Sequence, residues 1–334
     1  MKKLQNSKIS NYESQVFQWR SQEYSYRKIA NLLKAQYNLD VSHNAIYSFL
    51  KVRESASKEY SLFYKGLPED IKAALLKQLN VVWTHNSTAL EGNTITLGET
   101  ANILEVGLTI SGKSLKEHEE IYGHAQAVEL ILSLLNKDKI DKQDLFDLHS
   151  CVMHKVPIDS LRPVGKWKQE YNGTTGVRDN KTVYMEFASP VSTPKLMQRW
   201  VKEFNRKLST ANSPAKALNV YTWTHMTFVR VHPFFDGNGR IARLISNLPL
   251  LKCGHPPLLI SPTSRIDYIN TIWNYQNEVG VLKSNDLLLP PSHNLTDFKT
   301  LLKREWQEAH NLVREARHMA ELRELINSCP HSHK

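Results

Sequence analysis

His232-Pro233-Phe234-Phe235-Asp236-Gly237-Asn238-Gly239-Arg240-Ile241-Ala242-Arg243 gathers several chemical capabilities into one short run. A histidine exchanges a proton near neutral pH. Asp236 offers an oxygen ligand of the kind taken by Mg²⁺ or Mn²⁺. Gly237-Asn238-Gly239 permits a tight turn whose N–H groups converge on an anion, above all where a helix begins. Arg240 and Arg243, three residues apart, share one face of that helix. General base, metal carboxylate, anion nest and guanidinium clamp are the parts of phosphoryl or nucleotidyl transfer. A Gly-rich turn between helices would explain the two glycines, but not the histidine, aspartate and arginines at these spacings.

The chain has 334 residues, enough for one large domain and one or two small additions, with 41% hydrophobic and 23% charged residues. No apolar run is long enough to span a bilayer, and the N-terminus lacks the apolar stretch of a signal peptide. A cytoplasmic protein without a membrane partner is expected. Cys151, Cys253 and Cys329 are far apart and fit no metal-ligand spacing, as expected of reduced thiols. The net charge is +10, and residues 1–60 hold half of it, with ten basic and five acidic residues. Acidic partners are favoured.

That basic segment reads as a three-helix module. Tyr12 to Trp19 forms a first helix. Ser25 caps a second with an apolar stripe of Ile29, Leu32 and Leu33, and Ser42 caps a third with Ala45, Ile46, Phe49 and Leu50 inward. It resembles a helix-turn-helix, with Arg27, Asn44, Tyr47 and Lys51 as the side chains that would contact DNA. A protein-docking or structural three-helix bundle is the equal alternative. Further on, helices are predicted over roughly 68–90, 98–106, 114–136, 142–153, 192–209, 214–230, 239–252 and 265–279. A long final helix covers about 295–327, with Leu301, Leu302, Leu312, Met319, Leu322 and Leu325 as its apolar stripe. The stripe is expected to pack on its own domain, with a homodimer as the alternative. Only 173–190 reads as strand, a hairpin around Arg178-Asp179-Asn180-Lys181.

The opening stretch resembles the signature of the Fic family, His-Pro-Phe-x-Asp/Glu-Gly-Asn-Gly-Arg-x-x-Arg, at every fixed position. Glu91-Gly92-Asn93-Thr94-Ile95-Thr96-Leu97-Gly98-Glu99-Thr100 resembles the start of a Fic core. Arg265-Ile266-Asp267-Tyr268 resembles the helix closing its nucleotide pocket, and the likeness covers about residues 80–280. Lys168 departs from an arginine often found after Gly-x-Tyr/Trp, and Gly123 from an asparagine often found in Glu-x-x-Asn. The implied fold is mainly α: a Fic helical-bundle core with a short β-hairpin flap, plus the helix-turn-helix-like module. The expected organisation is a basic module at 1–55, a linker at 56–67, a Fic domain at 68–290 and a C-terminal helix and tail at 291–334. An inhibitory helix is expected at about 80–92 within the Fic domain.

The resemblance implies transfer of AMP from ATP to a Tyr, Ser or Thr hydroxyl of a protein docked on the flap 173–190, or of the chain itself. His232 would be the catalytic base and Asp236 would hold Mg²⁺ or Mn²⁺. The amides of Gly237, Asn238 and Gly239, aided by the Asn238 side chain, would form the anion hole, and Arg240 and Arg243 would hold the outer phosphates. Phe234 would anchor the loop. Glycine at 239, where kinase relatives tend to carry lysine, favours adenylylation. Ser87-Thr88-Ala89-Leu90-Glu91-Gly92 resembles the family's inhibitory motif, which implies a Glu91–Arg243 ion pair, with Ser87 stiffening the helix end. Other readings are a DNA-binding regulator with a nucleotide-sensing Fic core, or a Fic enzyme that removes AMP or uses another nucleotide donor. Gly107-Leu108-Thr109-Ile110-Ser111-Gly112-Lys113-Ser114 matches the P-loop string, but a helical pattern precedes it where a P-loop needs a strand.

Overall fold

Residues 24–47, 62–156, 159–178 and 180–328, with Ile9, Tyr12, Gln15, Val16, Trp19 and Phe49, are described by a computed structural model. Leu50, Lys51, residues 56–61 of the expected linker, Asp179 at the hairpin tip and the tail from Cys329 lie outside the described residues. The chain divides into two units, residues 1–62 and 63–334.

In the first unit, helix α1 (Tyr26–Tyr37) starts where Ser25 accepts the Lys28 N–H at 3.2 Å, and ends at Asn38 in a left-handed conformation. Ser42 accepts the Ala45 N–H at 3.1 Å and opens the helical stretch 43–47. Ile29, Leu33, Ile46, Phe49, Val16 and Trp19 share one apolar core. Arg27 and Asn44 are exposed, while Tyr47 also packs edge-on against Tyr26, ring centroids 5.5 Å apart.

The second unit is helical except for one hairpin. Helix α2 (Glu69–Ala89) begins with two acidic residues that suit a helix N-terminus. Reciprocal capping boxes start α3 (Leu97–Val106) at Thr96/Glu99, α4 (Leu115–Ser133) at Ser114/Glu117 and α5 (Lys142–Val152) at Asp141/Asp144. The P-loop string therefore joins two helices: Gly107 is the left-handed cap of α3, and the Lys113 ammonium donates to the Thr94 carbonyl at 2.7 Å. Strands β1 (Gly173–Arg178) and β2 (Lys181–Glu186) pair antiparallel from Gly173↔Glu186 to Arg178↔Lys181. Helices α6 (Thr193–Leu208) and α7 (Pro214–Val231) follow. In α7 every residue from Ala217 to Val231 except Asn219 is buried, so it forms the axis of the bundle.

Two expected helices are each broken. The stretch 239–252 splits into α8 (Asn238–Ile245) and α9 (Leu248–Lys252). Pro249 has no N–H to continue the ladder, and the Asn247 amide instead bridges the Arg243 and Leu258 carbonyls. After α10 (Arg265–Val279), the final segment becomes α11 (Asn294–Glu305) and α12 (Gln307–Ser328). The chain turns at Trp306, whose indole N–H donates to the Pro256 carbonyl at 2.9 Å, beside Glu305, which accepts the Ser261 N–H. Leu301 and Leu302 are buried and Leu312 packs against the core, but Met319, Leu322 and Leu325 are exposed. The expected stripe thus packs over its first half only. Gly123, the second departure from the family pattern, lies where a side chain would collide with the Cys151 carbonyl and the His154 Cβ, so α4 and α5 approach closely there.

Candidate active site

The signature is a turn between two helices. Helix α7 stops at His232, whose φ is 51°, and α8 starts after Gly237, whose φ is 77°. Between them Phe234 is fully buried, stacked on His149 with centroids 4.0 Å apart and flanked by Trp167 at 5.2 Å. Burying such a ring contributes about 1.5–3 kcal/mol, which fixes the loop to the core.

Asn238 differs from expectation. Its side chain is buried, with Oδ1 accepting the Phe234 N–H at 2.9 Å and Nδ2 donating to the Phe234 carbonyl at 2.8 Å. The amide is spent on closing the turn, and only the Asn238 backbone N–H is left to face an anion.

A cavity of about 560 Å³ opens over this turn, within the range of small-molecule sites. Glu91, His232, Asp236, Gly237, Asn238, Gly239 and Arg243 line its floor. Strand β1 from Thr174 to Val177 forms one wall, and Tyr268, Ile269, Ile272 and Trp273 of α10 form another. Trp273 ties the two walls together: its indole N–H donates to the Val177 carbonyl at 3.3 Å, and its ring lies against Gly176, where a Cβ would sit 2.5 Å from it. Arg240 is not among the lining residues. It is buried, 3.6 Å from Asp236 and 3.8 Å from the Met153 sulfur, and its Nε has no partner.

His232 Nδ1 lies 3.2 Å from the Val229 carbonyl, an acceptor only, so Nδ1 carries the proton and Nε2 keeps its lone pair. The Phe187 ring stacks on the imidazole at 3.7 Å. Burial, and then the Lys168 charge, push its pKa down to about 3, so the ring is neutral at physiological pH. The carboxylate of Asp236 is 61% exposed and accepts the Gly237 N–H at 2.6 Å.

Arg243 is the most heavily bonded group in the site. Its Nε donates to Ser87 Oγ at 3.0 Å and Nη1 to the Tyr268 hydroxyl at 3.2 Å. Nη2 donates to the Ser87 carbonyl at 2.9 Å and to Glu91 Oε1 at 2.7 Å. Burial alone would raise the Glu91 carboxyl, but Arg243 and then Arg240 outweigh it and hold the pKa below the ordinary value. Glu91 lies two residues beyond the end of α2, in the turn closed by Glu91 N–H to Thr88 O, rather than within a helix reaching 92. Ser87, expected to stiffen the helix end, grips Arg243 instead. Gly239 leaves the space that the Glu91 carboxylate occupies.

Residues not singled out as site groups also converge here: Phe187, His149, Asn172, Trp273 and His225, which meets the Tyr268 hydroxyl behind Arg243 at 2.9 Å. Each acts through a tertiary contact, and no local pattern announces it.

The Fic/DOC family pattern matches residues 139–250, which include the whole turn. The chain contains a Fic domain. Around that domain, "Protein adenylyltransferase Fic" of Drosophila persimilis is 34% identical over 186 residues, 55% of this chain and 34% of the relative. "Protein adenylyltransferase fic-1" of Caenorhabditis elegans is 31% identical over 201 residues, 58% of this chain and 36% of the relative. The chain thus spans about a third of the length of these curated relatives. A Fic-domain-containing signaling protein from Bacteroides thetaiotaomicron superposes with a TM-score of 0.64 at 25% identity, over 79% of this chain and 97% of that one. The C. elegans Fic-1 structure shares the fold, with a TM-score of 0.57 at 21% identity over 94% of this chain and 86% of that one.

Proposed function

We propose that this chain is a protein adenylyltransferase restrained by its own Glu91. The observation that carries the proposal is the shared cavity: a neutral His232 with a free Nε2, a glycine-rich helix start, and an arginine whose outward-facing Nη2 is already taken by Glu91. ATP is the co-substrate. His232 Nε2 takes the proton of a target Tyr, Ser or Thr hydroxyl as its oxygen attacks the α-phosphorus. A phosphoester bond to the target forms, the bond from α-phosphorus to the bridging oxygen breaks, and pyrophosphate leaves. The backbone N–H groups of Gly237, Asn238 and Gly239 at the start of α8 receive phosphate charge. Arg243 binds the outer phosphates once Glu91 withdraws. Arg240, buried and with an unpartnered Nε, supports the nest from below.

Asp236 is the residue that would hold Mg²⁺ or Mn²⁺. One exposed carboxylate fits an ion that arrives with its nucleotide and keeps several waters. Among the described residues no cluster of three or more His, Cys, Asp or Glu could hold a metal ion by itself. A bound ion would neutralise charge on the phosphates. The target protein docks on the hairpin 173–190 by strand pairing. A reducing, cytoplasmic setting accords with Cys151 and Cys253, free thiols raised in pKa by burial. Among the described residues no helix is long and apolar enough to cross a membrane.

The test uses the Glu91→Gly variant with ATP labelled on either the α- or the γ-phosphate. Label retained on protein from the α-position alone, and lost on adding His232→Ala, is the expected result. Retention of γ-label would mean phosphoryl transfer, and retention of neither would remove the reading.

For residues 1–62 we propose duplex DNA binding, on the observation that Arg27 and Asn44 are exposed on a unit with its own core. Binding that weakens steeply with salt and disappears on deleting residues 1–55 is expected. A shift assay unchanged by that deletion would refute it.

A further inference from the structure

Behind the catalytic turn, a segment that the reaction scheme does not use collects its carbonyls one after another. Lys168 Nζ donates to Val231 O at 3.4 Å and the Lys168 backbone N–H to Pro233 O at 2.9 Å. Asn172 Nδ2 donates to Phe234 O at 2.8 Å and Phe235 O at 3.4 Å, and His149 Nε2 to Asp236 O at 3.3 Å. His232 sits amid these contacts in a left-handed conformation, which a non-glycine residue keeps only where its neighbours over-determine it.

Lys168 is the unusual member. The residue is 3% exposed, and its amine meets Asn172 Oδ1 at 2.6 Å and the Val231 carbonyl, both neutral. Among the described residues no carboxylate lies within ion-pair distance of it. An amine buried without a counter-ion is costly, and a neutral donor could make the same hydrogen bonds. Its charge therefore calls for a role.

We propose that Lys168 is a positioning residue for His232: its backbone N–H and its amine clamp the carbonyls on either side of that histidine, and its charge faces the imidazole. The proposal deepens the adenylyl-transfer reading in its kinetic consequences, and is independent of it in what it says about His232 itself. The groups that act on the imidazole are the charges of Lys168, Glu91 and Asp236, the Val229 carbonyl that takes its Nδ1 proton and the Phe187 ring stacked on it. Burial is the main reason the imidazole is hard to protonate, and the Lys168 charge adds to it against the two carboxylates. Burial also lowers Lys168 itself to about 7, so its amine is charged throughout the acid range in which an imidazolium could form. Removing a positive neighbour makes protonation easier, so the His232 midpoint must rise.

The experiment compares the full chain with Lys168→Met and Lys168→Arg, in the Glu91→Gly background. The nitrogen resonances of His232, assigned by their loss in His232→Ala, are followed from pH 8 to the acid limit of folding. The expected result is a higher midpoint in Lys168→Met and an unchanged one in Lys168→Arg. Lys168→Gln carries the same prediction as methionine and serves if Lys168→Met does not fold. Superimposable titrations of His232 with and without the amine would overturn the proposal, whatever the activity. In α-labelled ATP assays kcat should fall about 10- to 100-fold in Lys168→Met, while KM for ATP stays within about twofold, because Lys168 does not line the cavity. A rise in KM with kcat unchanged would equally overturn it. If the titration shifts but no variant retains label, the positioning role stands and adenylyl transfer falls.

Discussion

Gly239 shows how finely the site is set. A methyl group there would meet Glu91 Oε1 and approach Arg243 Nη1 to 3.1 Å, so Gly239→Ala should displace the carboxylate without altering it. We expect retained α-label about 10-fold above wild type and below Glu91→Gly, since the added methyl also crowds the arginine. Equal labelling of wild type and Gly239→Ala would show that Glu91 does not depend on that space. Asn238 makes a different point. The sequence pattern supplied an amide where phosphate should bind, and the fold uses that amide to pair the Phe234 N–H and carbonyl. Asn238→Ala leaves the Phe234 N–H unpaired in the core, while the Phe234 carbonyl keeps its bond from Asn172, a loss of about 1–3 kcal/mol that urea unfolding would detect. An unchanged urea midpoint would contradict this. That His232, Asp236, the glycines and Arg243 share one cavity was legible, because residue type and spacing single them out together. The Asn238 side chain was not, because donors and acceptors inside the turn compete with ligand for it.

Between elements, the proposed restraint is a contact of the α2 end with α8, and it has a predictable pH range. The folded-state pKa of Glu91 is below its unfolded value, so the pair's contribution is complete above the unfolded pKa, about 4.3, and is lost as pH falls through the lower folded value. The ratio of Glu91→Gly to wild-type labelling should therefore be constant between about pH 6 and 8. A ratio that collapses across this range would assign the lock to another group. Ser87→Ala removes the bond on Arg243 Nε while leaving the Glu91 pair, so it should raise labelling by less than Glu91→Gly does. Labelling at or above the level of Glu91→Gly would make Ser87 the principal restraint. The hairpin and most helices were legible from periodicity, caps and turn residues. The breaks at 246–247 and at Trp306 were not, since both depend on bonds to distant carbonyls, Leu258 and Pro256.

At the scale of the whole molecule, the two units have separate cores, and the cavity is lined entirely by the second. Deleting residues 1–62 should leave the α-label retained by Glu91→Gly within about twofold, measured on a common target and by self-labelling. A larger fall would mean that the basic unit supplies part of the reaction. In the sequence, charge distribution and helix caps mark a basic module ending near residue 55. They did not reveal that the C-terminal apolar stripe is left exposed from Met319 onward, because periodicity marks an apolar face without naming what covers it. We propose a nucleotidyl-transfer site held shut by its own glutamate. Its most direct test is retention of α-label by wild type and Glu91→Gly at equal ATP and Mg²⁺. We predict at least about 10-fold more label on the glycine variant, and none once His232 is alanine. Equal labelling of the two, or label that survives His232→Ala, would contradict the account.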